Sequence, residues 1–157
     1  FASIAGFEAN GGFLLGADTE INGKALKALP TRDAVLPAIM LLSATADGKT
    51  VSELVEDCTV RFSASDRVKN FATEKSKLII STYTGRESEL LSELGFDDTA
   101  VEYSDTTDGL RITLSSGDVV HLRPSGNAPE LRCYAESSDN EQAQALVVKV
   151  LGAIRDF

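Results

Sequence analysis

The most regular hydrophobic pattern lies at the end of the chain. Ala143, Leu146, Val147, Val150, Leu151 and Ile154 recur at i, i+3, i+4, i+7, i+8 and i+11. That spacing lines one face of a helix, which should pack on a sheet. Ser138-Asp139-Asn140-Glu141 ahead of it reads as a capping box. Upstream, period-two alternation predicts four strands: Val101 and Tyr103; Leu110, Ile112 and Leu114; Val120 and Leu122; Leu131, Cys133 and Ala135. Asp108-Gly109 and Ser116-Gly117-Asp118 supply hairpin turns between them. Before these strands, Thr73 to about Thr82 suits helix or strand at Leu78, Ile79 and Ile80, with Glu74, Lys75 and Lys77 favouring helix, and Arg86 to Leu94 reads as a helix stopped by Gly95. Residues 57–157 therefore predict an α+β domain, an antiparallel sheet with helices on one face.

The first part of the chain is patterned less evenly. Residues 1–15 read as strand, glycine-rich loop, strand, and Gly16 to Pro30 as loop. A helix is expected to start at Pro30-Thr31-Arg32-Asp33, with Thr31 or Asp33 as its cap, and to run through Leu36, Ile39, Met40 and Ala44. Thr50-Val51-Ser52-Glu53 fits a capping box before a short helix. A boundary is placed near Asp57. Thr59 to Ser63 alternates as a strand, and Asp66 to Asn70 reads as a polar connection.

Charge narrows the function classes. Net charge over the 157 residues is −9. It divides as −3 for residues 1–56 and −6 for the remainder, so both parts are acidic. Nucleic-acid binding is excluded, because a phosphate backbone demands clustered positive charge. A small anion is still admissible, since a local arginine pocket outweighs a distant field at short range. No apolar run reaches the ~20 residues of a membrane span. Cys58 and Cys133 are solitary, which suits a reducing cytoplasm. The single histidine, His121, has no metal-like neighbours and reads as a strand residue. The chain opens on Phe1 with no methionine, as a fragment would.

Two loops carry candidate chemistry. In Leu122-Arg123-Pro124-Ser125-Gly126-Asn127-Ala128-Pro129, two prolines flank Ser-Gly-Asn between strands, and Arg132 stands on the returning strand. Gly and Asn tolerate unusual backbone angles. Backbone N–H groups, a hydroxyl, an amide and a guanidinium together form a sensible phosphate cradle. The same composition also suits a plain hairpin loop with a solvent-facing arginine. In Phe7-Glu8-Ala9-Asn10-Gly11-Gly12, Glu8 and Asn10 stand two residues apart, on one face of an extended backbone. Together they could accept from and donate to neighbouring sugar hydroxyls, and a polar turn is the alternative.

Arg123-Pro124-Ser125-Gly126, Pro129, Arg132, Tyr134 and Glu136 match the phosphate-binding signature of the α-D-phosphohexomutases, Arg-Pro-Ser-Gly-Thr-Glu-Pro followed by Arg-x-Tyr-x-Glu. Asn127 and Ala128 stand in place of Thr-Glu. Glu8 and Gly11 match that family's sugar loop, Gly-Glu-x-Ser-Gly-His, with Asn10 for Ser and Gly12 for His. The chain resembles the C-terminal portion of this family, most like its bacterial phosphomannomutase/phosphoglucomutase members. The resemblance implies a TATA-binding-protein-like sheet domain over residues 57–157. It implies the end of a third, sugar-binding α/β domain over residues 1–56. It implies that Glu8, Asn10 and Gly11 bind the sugar and that Arg123, Ser125, Gly126, Asn127 and Arg132 bind the phosphate. The ligand it implies is a hexose phosphate, mannose or glucose 1- or 6-phosphate or the bisphosphate intermediate. The family's phosphoserine loop (Thr-Ala-Ser-His-Asn-Pro) and magnesium loop (Asp-Gly-Asp-x-Asp-Arg) do not occur in this sequence. Mg2+ and the nucleophile are thus implied only for the full-length enzyme with its remaining domains, and this chain alone is expected to be inactive. A stand-alone module that binds a sugar phosphate without catalysis is the competing reading.

Overall fold

The computed structural model describes residues 4–7, 11–46 and 48–157. It divides into two compact units, 1–59 and 60–157.

The first unit holds a three-stranded antiparallel sheet of order β1 (Ala5–Phe7), β2 (Phe13–Leu15) and β5 (Leu29–Asp33). The Gly16 to Pro30 stretch is not a loop, as expected above, but contains a hairpin, β3 (Thr19–Ile21) and β4 (Lys24–Leu26). Asn22 and Gly23 turn it with φ of 52° and 73°, the left-handed pair that a two-residue hairpin turn needs. The expected helix also starts later. Pro30 to Asp33 belong to β5, an edge strand, where a proline's missing N–H is tolerated. Helix α1 then runs Val35–Thr45, and Asp33 Oδ1 accepts from the N–H of Val35 at 2.7 Å and of Leu36 at 3.2 Å. α1 is apolar along its length, yet none of its residues is buried. α2 (Val51–Cys58) carries the expected capping box, with Thr50 Oγ1 accepting from Glu53 N–H and Glu53 Oε2 accepting from Thr50 N–H.

The second unit is a five-stranded antiparallel sheet of order β6-β10-β9-β8-β7, covered on one face by α3 (Thr73–Tyr83), α4 (Glu87–Glu93) and α5 (Asn140–Ile154). The strands are β6 (Phe62–Lys69), β7 (Val101–Asp105), β8 (Leu110–Leu114), β9 (Val119–Pro124) and β10 (Glu130–Ser137). Leu110, Ile112, Leu114, Val120, Leu122, Leu131, Cys133 and Ala135 point to the helices and are buried. All six α5 positions named above are buried as well, which completes the core.

Two expectations are corrected in this unit. Asp66 to Lys69 is no connection but the second half of β6, paired with β10 from Glu130↔Lys69 to Ser137↔Phe62. The half-buried Ala64 and Val68 join the core on one side, and an edge strand leaves the intervening polar residues in water. The cap of α5 is Asp139, not Ser138: its Oδ1 accepts from Gln142 N–H at 2.8 Å. Gln142 does not reach back to complete a box, because its amide donates to Asp118 Oδ2 at 3.3 Å.

Asp118 is a buried carboxylate with unusually full company. Ser137 Oγ donates to its Oδ1 at 2.7 Å and Ser116 Oγ to its Oδ2 at 2.8 Å. Arg61 lies 3.8 Å away, and its Nη2 donates to the carbonyls of Gly117 and Glu136 at 2.7 and 3.1 Å. The group ties the start of β6, the β8–β9 turn and the first turn of α5 together.

At the β7–β8 turn, Gly109 has φ +98°, and a Cβ there would sit 2.3 Å from the carbonyl oxygen of Leu122 and 3.1 Å from Cα of Arg123. The turn therefore presses directly on the β9 backbone. Replacing Gly109 by Ala should lower stability by more than about 1 kcal/mol, because both conformation and space forbid the methyl group. An unchanged urea midpoint would contradict this. The two cysteines should also react differently. Burial, with the Asp66 charge adding to it, pushes the Cys133 thiol up to about 12, whereas Cys58 is exposed. A disulfide reagent under native conditions should label one thiol quickly and the second only on unfolding. Two fast thiols would show that β10 opens readily.

Candidate anion-binding site

The sheet face away from the helices carries the charged residues of alternate positions. Register places Arg132 beside Arg67 of β6 on one side and beside Arg123 of β9 on the other. Three guanidinium-bearing residues therefore form one transverse row at the end of the sheet that leads into the Pro124–Pro129 loop.

Arg123 is already engaged. Its Nε lies 2.9 Å from Asp108 Oδ1 and 2.8 Å from Oδ2. Partial burial disfavours its charge, but the Asp108 carboxylate and then Tyr134 outweigh this and hold the guanidinium above its ordinary value. His121 Nε2 donates to the Asp108 carbonyl at 2.5 Å, which assigns the ring proton to Nε2, since a carbonyl oxygen only accepts. The His121 ring in turn lies 5.7 Å from Tyr134, centroid to centroid. Sequence reasoning did not find Asp108 as the partner of Arg123. The available signal was the Asp-Gly turn, which only the packing of Gly109 on β9 brings to this place.

Arg132 is different. It is half-buried, and its side chain makes no hydrogen bond or ion pair among the described residues. With Ser65, Asp66, Arg67, Lys69 and Tyr134 it lines an open concavity of about 470 Å³.

The loop itself is closed by Ser125 N–H donating to Glu130 O at 2.9 Å, with Glu130 N–H donating to Ala128 O at 2.8 Å. The Phe71 N–H donates to Pro129 O at 2.8 Å and anchors the loop from below. Ser125 is 5% exposed, and its Oγ accepts from Asn127 N–H at 3.4 Å. The expected unusual backbone is not there: neither Gly126 nor Asn127 has a positive φ. Gly126 is exposed, and a Cβ added to it would meet nothing within 4 Å. The structure thus brings Arg123, Ser125, Gly126, Asn127 and Arg132 to one end of one sheet. Of the sugar-loop residues, Glu8 and Asn10 lie outside the described residues. Gly11 is exposed with φ +88°.

Among the described residues, no three His, Cys, Asp or Glu side chains come together as a metal site. No helix among them is long and apolar enough to cross a membrane.

Comparison with known proteins follows the same lines. Residues 66–153 match the family model described as phosphoglucomutase/phosphomannomutase, C-terminal domain. The chain is 50% identical over 152 residues to a phosphomannomutase of Salmonella muenchen, covering 97% of this chain and 32% of that protein. It is 39% identical over 155 residues to a phosphomannomutase of Sinorhizobium fredii, covering 96% and 32%. A probable phosphoglucosamine mutase of Methanothermobacter thermautotrophicus is 27% identical over 124 residues, covering 79% and 26%. The chain thus spans about a third of the length of the two phosphomannomutases it matches. With 88 consecutive residues under that model, and with loop, sheet and cationic row in place, the chain belongs to the phosphoglucomutase/phosphomannomutase family through its C-terminal domain.

Proposed function

We propose that this chain is the substrate-recognition part of a phosphohexomutase that interconverts hexose 1-phosphate and 6-phosphate in the cytoplasm, with mannose phosphates as substrates. The observation that carries this reading is Arg132, half-buried and without a partner, in line with Arg123 beside the Ser125–Asn127 loop. The likeness to two phosphomannomutases supports mannose as the sugar.

The phosphate that is not being transferred binds at this loop. Arg123 and Arg132 supply charge and paired donors. Ser125 braces the loop with its oxygen lone pair, and its hydroxyl proton is available to a phosphate when the loop relaxes outward. Asn127 offers its side-chain amide. Gly126 leaves the outer side of the loop open, so that an oxyanion can approach the backbone. Glu8, Asn10 and Gly11 contact sugar hydroxyls in the parent enzyme. Residues 1–56 are the end of its third domain and residues 57–157 its fourth. The bare apolar surface of α1 fits a helix that other parts of a larger domain cover. The phosphoserine and the Mg2+ site belong to segments outside this sequence, so no chemical step is assigned to these residues.

Two measurements test the reading. Titration of the chain with mannose 6-phosphate should move the amide resonances of residues 123–127, and Arg123→Ala should weaken binding roughly 10- to 150-fold, as for a lost charge-assisted contact. An equal response in both proteins would make the loop a plain turn. The highly purified chain should not convert mannose 1-phosphate to the 6-phosphate, because phosphoryl transfer needs the positioning and charge-neutralising groups it lacks. Turnover by the chain alone would overturn the assignment of the nucleophile to other domains.

A further inference from the structure

The concavity beside Arg132 is built as much by β6 as by β10. Arg67 stands directly opposite Arg132, and Lys69, one alternation further along the same strand, stands opposite Glu130. The Lys69 side chain has no hydrogen bond or ion pair among the described residues. The Arg67 side chain has only a long one: its Nε lies 3.5 Å from Glu130 Oε1. That Glu130 side chain is 15% exposed, against 46% for Arg67, so the carboxylate lies beneath the patch and the guanidinium faces outward. Asp66 also lines the concavity, but its Oδ1 is turned to the backbone N–H of Arg67 at 2.8 Å. The outward-facing surface is thus three cations, Arg67, Lys69 and Arg132, with Tyr134 as a hydroxyl donor, in a chain of net charge −9. Packing does not account for them, since Arg67 and Lys69 are exposed and contribute nothing to the core.

The geometry points to Arg67 and Lys69 as further phosphate-binding residues, which extend the loop site across the edge strand so that one phosphate monoester is held from two sides. This rests on the reading of the phosphate site above and adds a wall that it did not contain. Neighbouring strands lie about 4.8 Å apart, so the row from Arg123 to Arg67 spans roughly 10 Å. Flexible guanidinium stems bridge that distance around a single phosphate, with Arg132 in the middle. Glu130 then acts as a brake: it holds Arg67 when no anion is present and competes with the phosphate for it. Arg67 should therefore bind and Glu130 should weaken binding, a pair of opposite signs that a merely structural contact between them does not give.

The test is a titration of the isotopically labelled chain with inorganic phosphate and, separately, with mannose 6-phosphate. Wild type, Arg67→Ala, Arg67→Lys, Glu130→Gln and Arg123→Ala are compared. In wild type, amides 65–69 should shift with the same midpoint as 123–132. Arg67→Ala should raise Kd about tenfold, as one charge-assisted contact is lost. Arg67→Lys should recover part of this, and Glu130→Gln should lower Kd below wild type. Should Arg67→Ala misfold, Arg67→Lys and Glu130→Gln, which keep the strand's side-chain volume, carry the test. Unchanged affinity in Arg67→Ala, or in both of those variants, overturns the inference while leaving the loop reading intact if Arg123→Ala is weakened. Unchanged affinity in Arg123→Ala with a weakened Arg67→Ala overturns the loop reading and with it the two-sided site, and confines the anion to the β6 wall. No phosphate response in any protein overturns both.

Discussion

The pairing of β10 constrains everything else in the second unit. Its full length is hydrogen-bonded on one side to β6, and Leu131 to Glu136 are paired on the other with β9. Because side chains alternate along a strand, a slip of one residue in either pairing would turn Leu131, Cys133 and Ala135 to water and Arg132 and Tyr134 into the core. Burying the first three therefore fixes the second two on the open face. The cationic row is a by-product of core packing, with no separate device needed to align it.

The register is defended at both ends of the sheet. At one end, the buried Asp118 collects Ser116, Ser137, Gln142 and Arg61, so that a carboxylate withdrawn from water has a donor for each oxygen. At the other, Gly109 lies so close to β9 that only a residue without a side chain fits, and Asp108 is carried along to Arg123. The first arrangement stiffens the sheet where α5 begins. The second sets the direction of the Arg123 guanidinium from a turn that is fifteen residues away in sequence.

What could be read from the sequence follows from how local each signal is. The helical face of α5 and the alternation of β8 to β10 were legible because those segments are buried on one side, and burial writes a period into the sequence. β6 was half missed because it lies at an edge. There Ser65, Asp66, Arg67 and Lys69 can all be polar, and only Ala64 and Val68 keep the period. The β3–β4 hairpin was missed although Asn22-Gly23 is a strong turn signal, since its three-residue strands leave no alternation to count. The start of α1 was misplaced because Pro30 and Thr31 suit a helix N-terminus as well as an edge strand, and only pairing with β2 decides between them. At the loop, the backbone expected from the residue types is not the one found. Its glycine is not there to adopt a left-handed backbone, and the aspartate that holds Arg123 belongs to a different hairpin.

The Asp108–Arg123 pair has a bearing on time rather than on place. An arginine that is free in the empty protein gains the whole of its attraction to an arriving anion. One that already holds a carboxylate gains only the difference, and when the anion departs the carboxylate returns to the guanidinium at once. Such an exchange lowers the barrier to leaving, because the guanidinium need not pass through an unpaired state. A site built this way has a short residence time for its strength of selection.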